Sequence, residues 1–153
     1  MPFASPSDRP VRPFKRPVSV LVLVCTRAGE VLLMERTRPC GFWQSVTGSL
    51  KRGESPLAAA RRELREETGL GPAGLVDLHR GARFPILPAW RARYAPEVRS
   101  NREHWFVLML DGPRRPRLNP DEHCRWRWLP AARAARLASS WTNRRLIRLA
   151  CGV

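Results

Sequence analysis

The segment from Gly48 to Leu70 constrains this chain more than any other, because it gathers four glutamates on an otherwise basic sequence. Glu63 and Glu67 are four residues apart, so on a helix they share one face, and Glu66 neighbours both. Like charges at this spacing destabilise a helix unless something positive lies between them. Mg²⁺ suits that position, because it takes oxygen ligands and bridges to substrate phosphates. The segment therefore predicts a metal site on a helix.

The ends of this helix are marked by residue types that start and stop helices. Ser55 is a good N-cap, and Pro56 fits the first helical turn. Gly69 is a typical residue at a helix C-terminus. Glu54 comes just before the helix, where the dipole favours an acidic group. Arg62, two turns further on, can pair with Glu54 and hold the preceding loop against the helix.

Length and charge indicate one basic domain. The 153 residues suffice for a single core, and the sequence has no internal repeat. Residues 1–14, rich in Pro, Ser and Arg, are expected to form a flexible extension, and residues 15–153 a single domain. The net charge of +15 predicts attraction of an anionic substrate. The arginines are scattered, which favours solvated surface charge over a nucleic-acid partner.

Cysteines and apolar segments bear on the cellular setting. The four cysteines form no CxxC pair, which argues against a zinc ribbon and against a disulfide scaffold. The longest apolar run, 18–25, is far too short to span a bilayer, and the N-terminus has no apolar signal region. A reduced, cytoplasmic location without membrane association is therefore expected.

Apolar patterns predict strands and helices in mixed order. The β-branched run from Val18 to Val24 indicates a strand buried on both faces. Pro-rich stretches at 85–101 and 111–120 are expected to be loops. Strands are expected at 18–24, 30–36, 42–47, 75–84, 104–110 and 125–129, and helices at 56–68, 130–137 and 143–151. This order predicts an α/β protein built as a three-layer α/β/α sandwich.

The acidic segment matches every specified position of G-x5-E-x7-R-E-U-x-E-E-x-G-U, with U an aliphatic residue. In this it resembles the Nudix box. The resemblance implies an α/β/α sandwich with a mixed central sheet, and hydrolysis of nucleoside diphosphates linked to another moiety. It implies Mg²⁺ or Mn²⁺ held by Glu63 and Glu67, with Glu66 as a ligand or as the group that activates water. Glu54 and Arg62 complete the predicted catalytic set, and spacing leaves open which glutamate removes the proton.

Further blocks carry a second resemblance that spans nearly the whole chain. They are KRPVSVLV (15–22), FWQSVTGS (42–49), RYAP (93–96), EHWF (103–106), DEHCRWRWL (121–129) and SWTNRR (140–145). Together they are similar to the bacterial dihydroneopterin triphosphate pyrophosphatases of folate synthesis. The similarity departs in the Pro-rich N-terminal extension and in Phe84–Leu87. It implies that Glu122 completes the metal site.

The same resemblance implies a set of substrate contacts: Lys15, Arg36, Thr47, Phe84 and Ser140. Lys15 and Arg36 can meet phosphate oxygens. Thr47 and Ser140 can hydrogen-bond a polar ring edge, and Phe84, or a nearby Trp, can stack on a flat pterin. None of the three histidines has spacing that suggests a metal site.

The leading hypothesis is a Mg²⁺-dependent enzyme that hydrolyses 7,8-dihydroneopterin triphosphate to dihydroneopterin monophosphate and pyrophosphate. An alternative is a nucleoside triphosphate pyrophosphatase that removes dATP or oxidised nucleotides, because purines and pterins are both flat, bicyclic and rich in donors and acceptors. A third hypothesis is a non-catalytic nucleic-acid-binding protein, which the charge motivates. No helix-turn-helix or aromatic RNA-binding motif supports that third hypothesis. The oligomeric state stays open.

Overall fold

The computed structural model describes residues 13–153, which form seven strands and three α-helices. The predicted extension, 1–14, lies outside the described residues apart from its last two positions. None of the helices in 13–153 is long and apolar enough to cross a membrane. The elements are β1 (Val18–Thr26), β2 (Glu30–Arg36), β3 (Trp43–Gln44), β4 (Val46–Ser49), α1 (Pro56–Thr68), β5 (Leu75–Pro85), a 3₁₀ helix (Pro88–Arg93), β6 (Ser100–Leu110), β7 (His123–Pro130), α2 (Ala131–Leu137) and α3 (Trp141–Cys151).

The strands form one mixed sheet in the order β3-β2-β1-β6-β5, with β4 paired to β1 and β7 paired to β2. β1 runs parallel to β6, and the other pairings are antiparallel. One edge of β1 is shared between two partners. β4 pairs with the stretch from Ser19 to Val22, and β2 pairs with β1 at Cys25. The mixed sheet agrees with the predicted architecture.

Helices cover both faces of this sheet. Alternate residues of a strand point to opposite faces. Val20, Val22 and Val24 of β1 belong to the core that packs against α1. Leu21 and Leu23 belong to the second core, which packs against α2 and α3. Burial on both faces explains why residues 20–25 of β1 are all apolar, and the three predicted layers are present.

The predicted limits of α1 are confirmed. Ser55 Oγ accepts a hydrogen bond of 3.2 Å from a backbone N–H in the first turn, and Pro56 is the first helical residue. Gly69 ends the helix in the left-handed conformation, with φ of 74°, which glycine adopts without strain. The apolar residues of α1 pack into the core, and Glu63 and Glu67 lie on the same buried side of the helix.

The single strand predicted at 42–47 is wrong, because Ser45 separates β3 from β4. The N–H of Ser45 donates to Asn143 Oδ1 at 2.7 Å, so a side chain of α3 takes the place of a strand partner. Helix α3 itself begins at Trp141 rather than at the predicted Asn143. It starts earlier because Ser140 Oγ caps it by accepting the N–H of Asn143 at 3.1 Å.

Strand β6 begins at Ser100 rather than at the predicted His104. Its first residues are mostly polar. Asn101 pairs with β5 alone, whereas Glu103 pairs with both β5 and β1. The loop predicted at 85–101 is correspondingly shorter and contains the 3₁₀ helix. The polar side chains at the start of β6 form no apolar run, so the sequence indicates a loop where the strand begins.

Candidate active site

Arg62 is the centre of the ion pairs in α1. Its guanidinium makes two hydrogen bonds to the Glu54 carboxylate, from Nε to Oε2 and from Nη2 to Oε1, both at 2.8 Å. Nη1 donates to Glu63 Oε1 at 2.8 Å and to Glu66 Oε2 at 3.4 Å. Nη2 also donates to the Ser49 carbonyl at 3.2 Å. The expected pair with Glu54 is therefore present, and the same side chain orients Glu63.

The Glu54–Arg62 pair is mostly buried, with 14% and 19% of the two side chains exposed. Hydrogen bonding from Arg62 lowers the pKa of Glu54 to about 2. Hydrogen bonding to Glu54 raises the pKa of Arg62 above its ordinary value. Bidentate, charge-assisted bonds of this kind are strong and directional, so the loop before α1 is held firmly against the helix.

Gly48 lies directly against the Glu63 carboxylate. A Cβ atom at this position would overlap Oε1 and Cδ of Glu63. The backbone of Gly48 is not in the left-handed region, so steric space is the reason for glycine here. The first residue of the acidic segment thus leaves room for one of its carboxylates.

Glu67 is buried, with 1% of the residue exposed. Its Oε2 accepts the N–H of Thr47 at 3.0 Å, and its Oε1 lies 3.9 Å from His123 Nδ1. Burial lowers the pKa of His123 to about 4, so this imidazole is neutral at pH 7. Burial also raises the pKa of Glu67 well above its ordinary value, and the carboxylates of Glu63 and Glu122 raise it further. A buried carboxylate in this setting is stabilised by a cation.

Glu67, Glu122 and His123 form a group of potential metal ligands, in which one atom from each lies within 4.8 Å of the others. Glu67 comes from α1, whereas His123 begins β7 and Glu122 precedes it. Glu63 is one turn before Glu67, and its carboxylate binds Arg62. Burial raises the pKa of Glu63 as well. This oxygen-rich set fits a hard divalent cation.

His123 is a site residue that spacing did not indicate. Its Nε2 lies 3.0 Å from Gln44 Nε2, and its buried Nδ1 has no hydrogen-bond partner within the described residues. It reaches this position because β7 pairs with β2, where His123 stands opposite Arg36. The only sequence signal was its place next to Glu122. The structure adds His123 and Gln44 to the surroundings of the carboxylates.

A cleft of about 1960 Å³ opens beside the acidic group. Its lining brings together most of the predicted site residues, whereas Glu54 and Glu66 are outside it. The side chain of Glu66 is 49% exposed on α1. The predicted residues that line the cleft are Lys15, Arg36, Thr47, Arg62, Glu63, Glu67, Phe84, Glu122 and Ser140.

One part of this lining is strongly cationic. The guanidinium groups of Arg36 and Arg93 lie 5.1 and 5.4 Å from the ring centroid of Trp90, within cation–π distance. Lys15 remains accessible to solvent, yet desolvation by the cleft walls lowers its pKa, and the charges of Arg93 and Arg36 lower it further. Desolvation and Arg93 also lower the pKa of Arg36. Crowded cations of this kind are stabilised by an anion.

The predicted ring contacts are anchored in the fold. Thr47 Oγ1 donates to the Val20 carbonyl at 2.9 Å. Ser140 Oγ caps α3 and lies 3.3 Å from Thr142 Oγ1. Phe84 is partly exposed near the end of β5. Each hydroxyl retains a lone pair for a ligand, so these side chains can present fixed acceptors and an aromatic face to the cleft.

The sandwich, the acidic helix and the adjoining cleft are those of a Nudix protein. Residues 15–150 match the NUDIX domain family, and the chain belongs to that family. The predicted membership among Nudix hydrolases is confirmed. The α/β architecture with its mixed sheet is confirmed as well.

Two relatives and one solved structure are similar to this chain over most of its length. The chain is 41% identical over 139 residues to the dihydroneopterin triphosphate diphosphatase of Escherichia coli K12, covering 88% of this chain and 91% of the relative. It is 34% identical over 140 residues to the dihydroneopterin triphosphate diphosphatase of Haemophilus influenzae, covering 88% and 87%. The solved structure of the E. coli dihydroneopterin triphosphate pyrophosphohydrolase matches with a TM-score of 0.85 and 39% identity, covering 92% of this chain and 98% of that chain.

Replacing Gly48 with Ala should reduce hydrolysis without unfolding the protein. The added methyl group displaces the flexible Glu63 carboxylate, and disturbed support of a metal ligand typically lowers activity by about 10- to 100-fold. Gly81→Ala is the contrasting variant, because its methyl group would meet the Glu103 backbone carbonyl and should lower Tm. Steady-state kinetics and thermal melts of both variants make the test. Full activity in Gly48→Ala would exclude Glu63 from the site.

In the metal-free protein, the carboxyl groups of Glu63 and Glu67 should contribute less stability as the pH rises from about 4.5 through their raised folded-state pKa values. The folded-state pKa values of Glu63 and Glu67 are raised above 4.5, so their protonated forms favour folding below that pH. This contribution is lost as the pH rises through the folded-state pKa, by at most about 1.4 kcal/mol per pH unit for each proton. Two groups act in the opposite sense as the pH falls: His123 between 6.5 and its pKa of about 4, and Glu54 between 4.5 and its pKa of about 2.

Urea unfolding in EDTA across this pH range measures the effect. Glu67→Gln is the matched variant, since it keeps the size of the side chain and removes the titrating group. The unfolding free energy of the wild type minus that of Glu67→Gln should fall as the pH rises, because the other titrating groups cancel in this difference. Identical slopes for the two proteins would show that the desolvated Glu67 carboxyl does not control this dependence.

Proposed function

We propose that this chain hydrolyses 7,8-dihydroneopterin triphosphate to dihydroneopterin monophosphate and pyrophosphate, with Mg²⁺ as cofactor and Mn²⁺ as a substitute. We assign the reaction to folate biosynthesis in the cytoplasm. The observation that carries the proposal is a single cleft lined by both a desolvated carboxylate group and a crowded cationic group. A polyphosphate chelating a cation complements both. The 41% identity to the E. coli diphosphatase supports a pterin as the group attached to the phosphates.

Glu63, Glu67 and Glu122 would hold the cation, with His123 beside them. A divalent ion bound there would supply charge neutralisation for the phosphates and a more acidic water. One of the glutamates on α1, Glu63, Glu66 or Glu67, accepts the proton of the attacking water. Arg62 and Glu54 hold Glu63 in place for metal binding, because Arg62 donates hydrogen bonds to both Glu54 and Glu63. The acidic helix thus combines metal binding with proton transfer.

The other residues of the cleft bind the two ends of the substrate. Lys15 and Arg36 contact the phosphate oxygens and stabilise the charge that develops on the departing pyrophosphate. Phe84 stacks on the pterin ring, and Thr47 and Ser140 hydrogen-bond its polar edge. Lys15 and Arg36 line the same cleft as the carboxylates. The triphosphate and the pterin ring of the substrate are thus bound by separate parts of one surface.

Hydrolysis by the purified full chain tests the proposal. With Mg²⁺ and 7,8-dihydroneopterin triphosphate we expect pyrophosphate, detected as phosphate after addition of inorganic pyrophosphatase. EDTA should abolish the signal, and Mg²⁺ or Mn²⁺ should restore it. The kcat/KM for 7,8-dihydroneopterin triphosphate should exceed that for dATP or an oxidised nucleoside triphosphate by at least about tenfold. No pyrophosphate from the pterin substrate rules the proposal out, and a higher kcat/KM for a nucleotide moves the assignment to cleansing of the nucleotide pool.

A further inference from the structure

Two buried polar side chains of β6, Asn101 and Glu103, line the cleft away from the acidic helix. They are two residues apart, so they point to the same face of the sheet, about 7 Å from one another along the strand. Glu103 stands opposite Ser19 of β1, which in turn stands opposite Ser49 of β4. Two strand spacings, about 10 Å, therefore separate Glu103 from β4. A ligand lying across this face of the sheet spans that distance when its ring is at Glu103 and its phosphates are near β4.

Glu103 is a buried carboxylate that pairs with no arginine or lysine among the described residues. Only 5% of the residue is exposed, and Oε1 accepts the indole N–H of Trp105 at 2.9 Å. Burial raises the pKa of Glu103, although hydrogen bonding from Trp105 and Thr142 opposes the rise. A carboxylate has about four acceptor positions, so those toward the cleft are available to donors of a ligand.

Asn101 is also buried and only partly hydrogen-bonded. It is 3% exposed, its Nδ2 donates to Ser19 Oγ at 2.8 Å, and its Oδ1 has no partner within residues 13–153. The Ser19 hydroxyl can donate or accept, so exchanging the two amide atoms would leave Nδ2 unpaired instead. Either way, one polar atom of a buried amide lacks a partner. A buried polar atom without a partner destabilises the protein, and a hydrogen bond with a ligand would satisfy it.

We propose that Glu103 and Asn101 form the subsite that recognises the 2-amino-4-oxopyrimidine edge of the substrate ring, an inference that rests on the proposed function. That edge carries an N–H and an adjacent amino group side by side, and one carboxylate accepts both. The free amide atom of Asn101 bonds a further polar atom of the ring. Phe84 pairs with Asn101 across β5 and β6, so an aromatic face adjoins the same subsite. Pterins and guanine share this edge, whereas adenine lacks it.

Glu103→Gln and Asn101→Ala test this subsite with three substrates: 7,8-dihydroneopterin triphosphate, dGTP and dATP. Glutamine keeps an acceptor for Trp105 and loses the paired acceptance of two donors. We expect Glu103→Gln to raise KM at least about tenfold for the first two substrates, with kcat for each within about threefold of wild type. Asn101→Ala should raise the same KM values by at least about fivefold. The KM for dATP should change by less than about twofold in both variants.

Binding measured without hydrolysis keeps the inference separate from the proposed function. Neopterin, guanosine and adenosine are titrated in EDTA, and the wild type should bind the first two more tightly than adenosine. Glu103→Gln should remove this preference, and Asn101→Ala supplies the second variant if the first does not fold. Failure to hydrolyse the pterin substrate, with the preference intact, defeats the proposed function alone. Equal affinities in the wild type, or equal losses for adenosine and guanosine, overturn the inference.

Discussion

Replacing Glu67 with Gln should lower kcat/KM by at least about 150-fold, which corresponds to about 3 kcal/mol of transition-state stabilisation. Gln cannot supply the negative charge that holds a cation, although its carbonyl can still accept the N–H of Thr47 that Glu67 now accepts. The loss should come mainly from kcat when Mg²⁺ is saturating. Initial rates of pyrophosphate release at several Mg²⁺ concentrations measure it.

The same substitution should leave the fold intact. Burial raises the pKa of Glu67, so its charged form destabilises the metal-free protein, and Gln removes that charge. In EDTA at about pH 8, Tm should therefore be no lower than in the wild type. Glu97→Gln, at an exposed position, is the matched control and should keep full activity. Wild-type rates in Glu67→Gln would contradict the proposed metal site. So would calorimetry in which Glu67→Gln binds Mg²⁺ as tightly as Glu97→Gln does.

Replacing Arg62 with Met should lower the free energy of unfolding by about 3 kcal/mol or more, in the range found when one partner of a buried ion pair is removed. The variant leaves Glu54 without its two guanidinium bonds and Glu63 without its hydrogen bond. Activity should fall as well, by about 10- to 100-fold, because Glu63 loses the group that orients it. Urea unfolding and steady-state kinetics measure the two effects.

A double variant separates the ion pair from simple packing. In Arg62→Met with Glu54→Gln, no uncompensated charge remains at Glu54, so part of the lost stability should return. Activity should not return with it, since Glu63 still lacks its partner. Additive destabilisation by the two substitutions would mean that the pair in the structure contributes no coupling energy.

The acidic half of the site was predictable because its residues are close together in the chain. On a helix, spacing of three or four residues determines which side chains share a face. Ser55 and Gly69 fixed the ends of that helix through local capping. The Glu54–Arg62 pair followed from the same helical geometry. Each of these features depends on neighbours within two or three turns, so local rules sufficed.

The partners of this helix could not be found in that way. Glu122 was assigned by resemblance alone, and His123 was passed over because no spacing linked it to other ligands. Both meet Glu67 through the pairing of β7 with β2. Asn101 and Glu103 were missed for a different reason. They are polar residues at the start of a strand, and only the assembled sheet reveals that they face a cleft.

By itself, the sequence determined the acidic helix, the α/β class and the Nudix family, because these depend on residue type and short spacing. The tertiary structure decided which distant side chains surround Glu67, where the cationic group lies and which polar residues face the cleft. It also decided the pKa shifts, since desolvation depends on what packs over a carboxyl group. Strand pairing and burial join residues that are far apart in the chain, and no local pattern encodes that proximity.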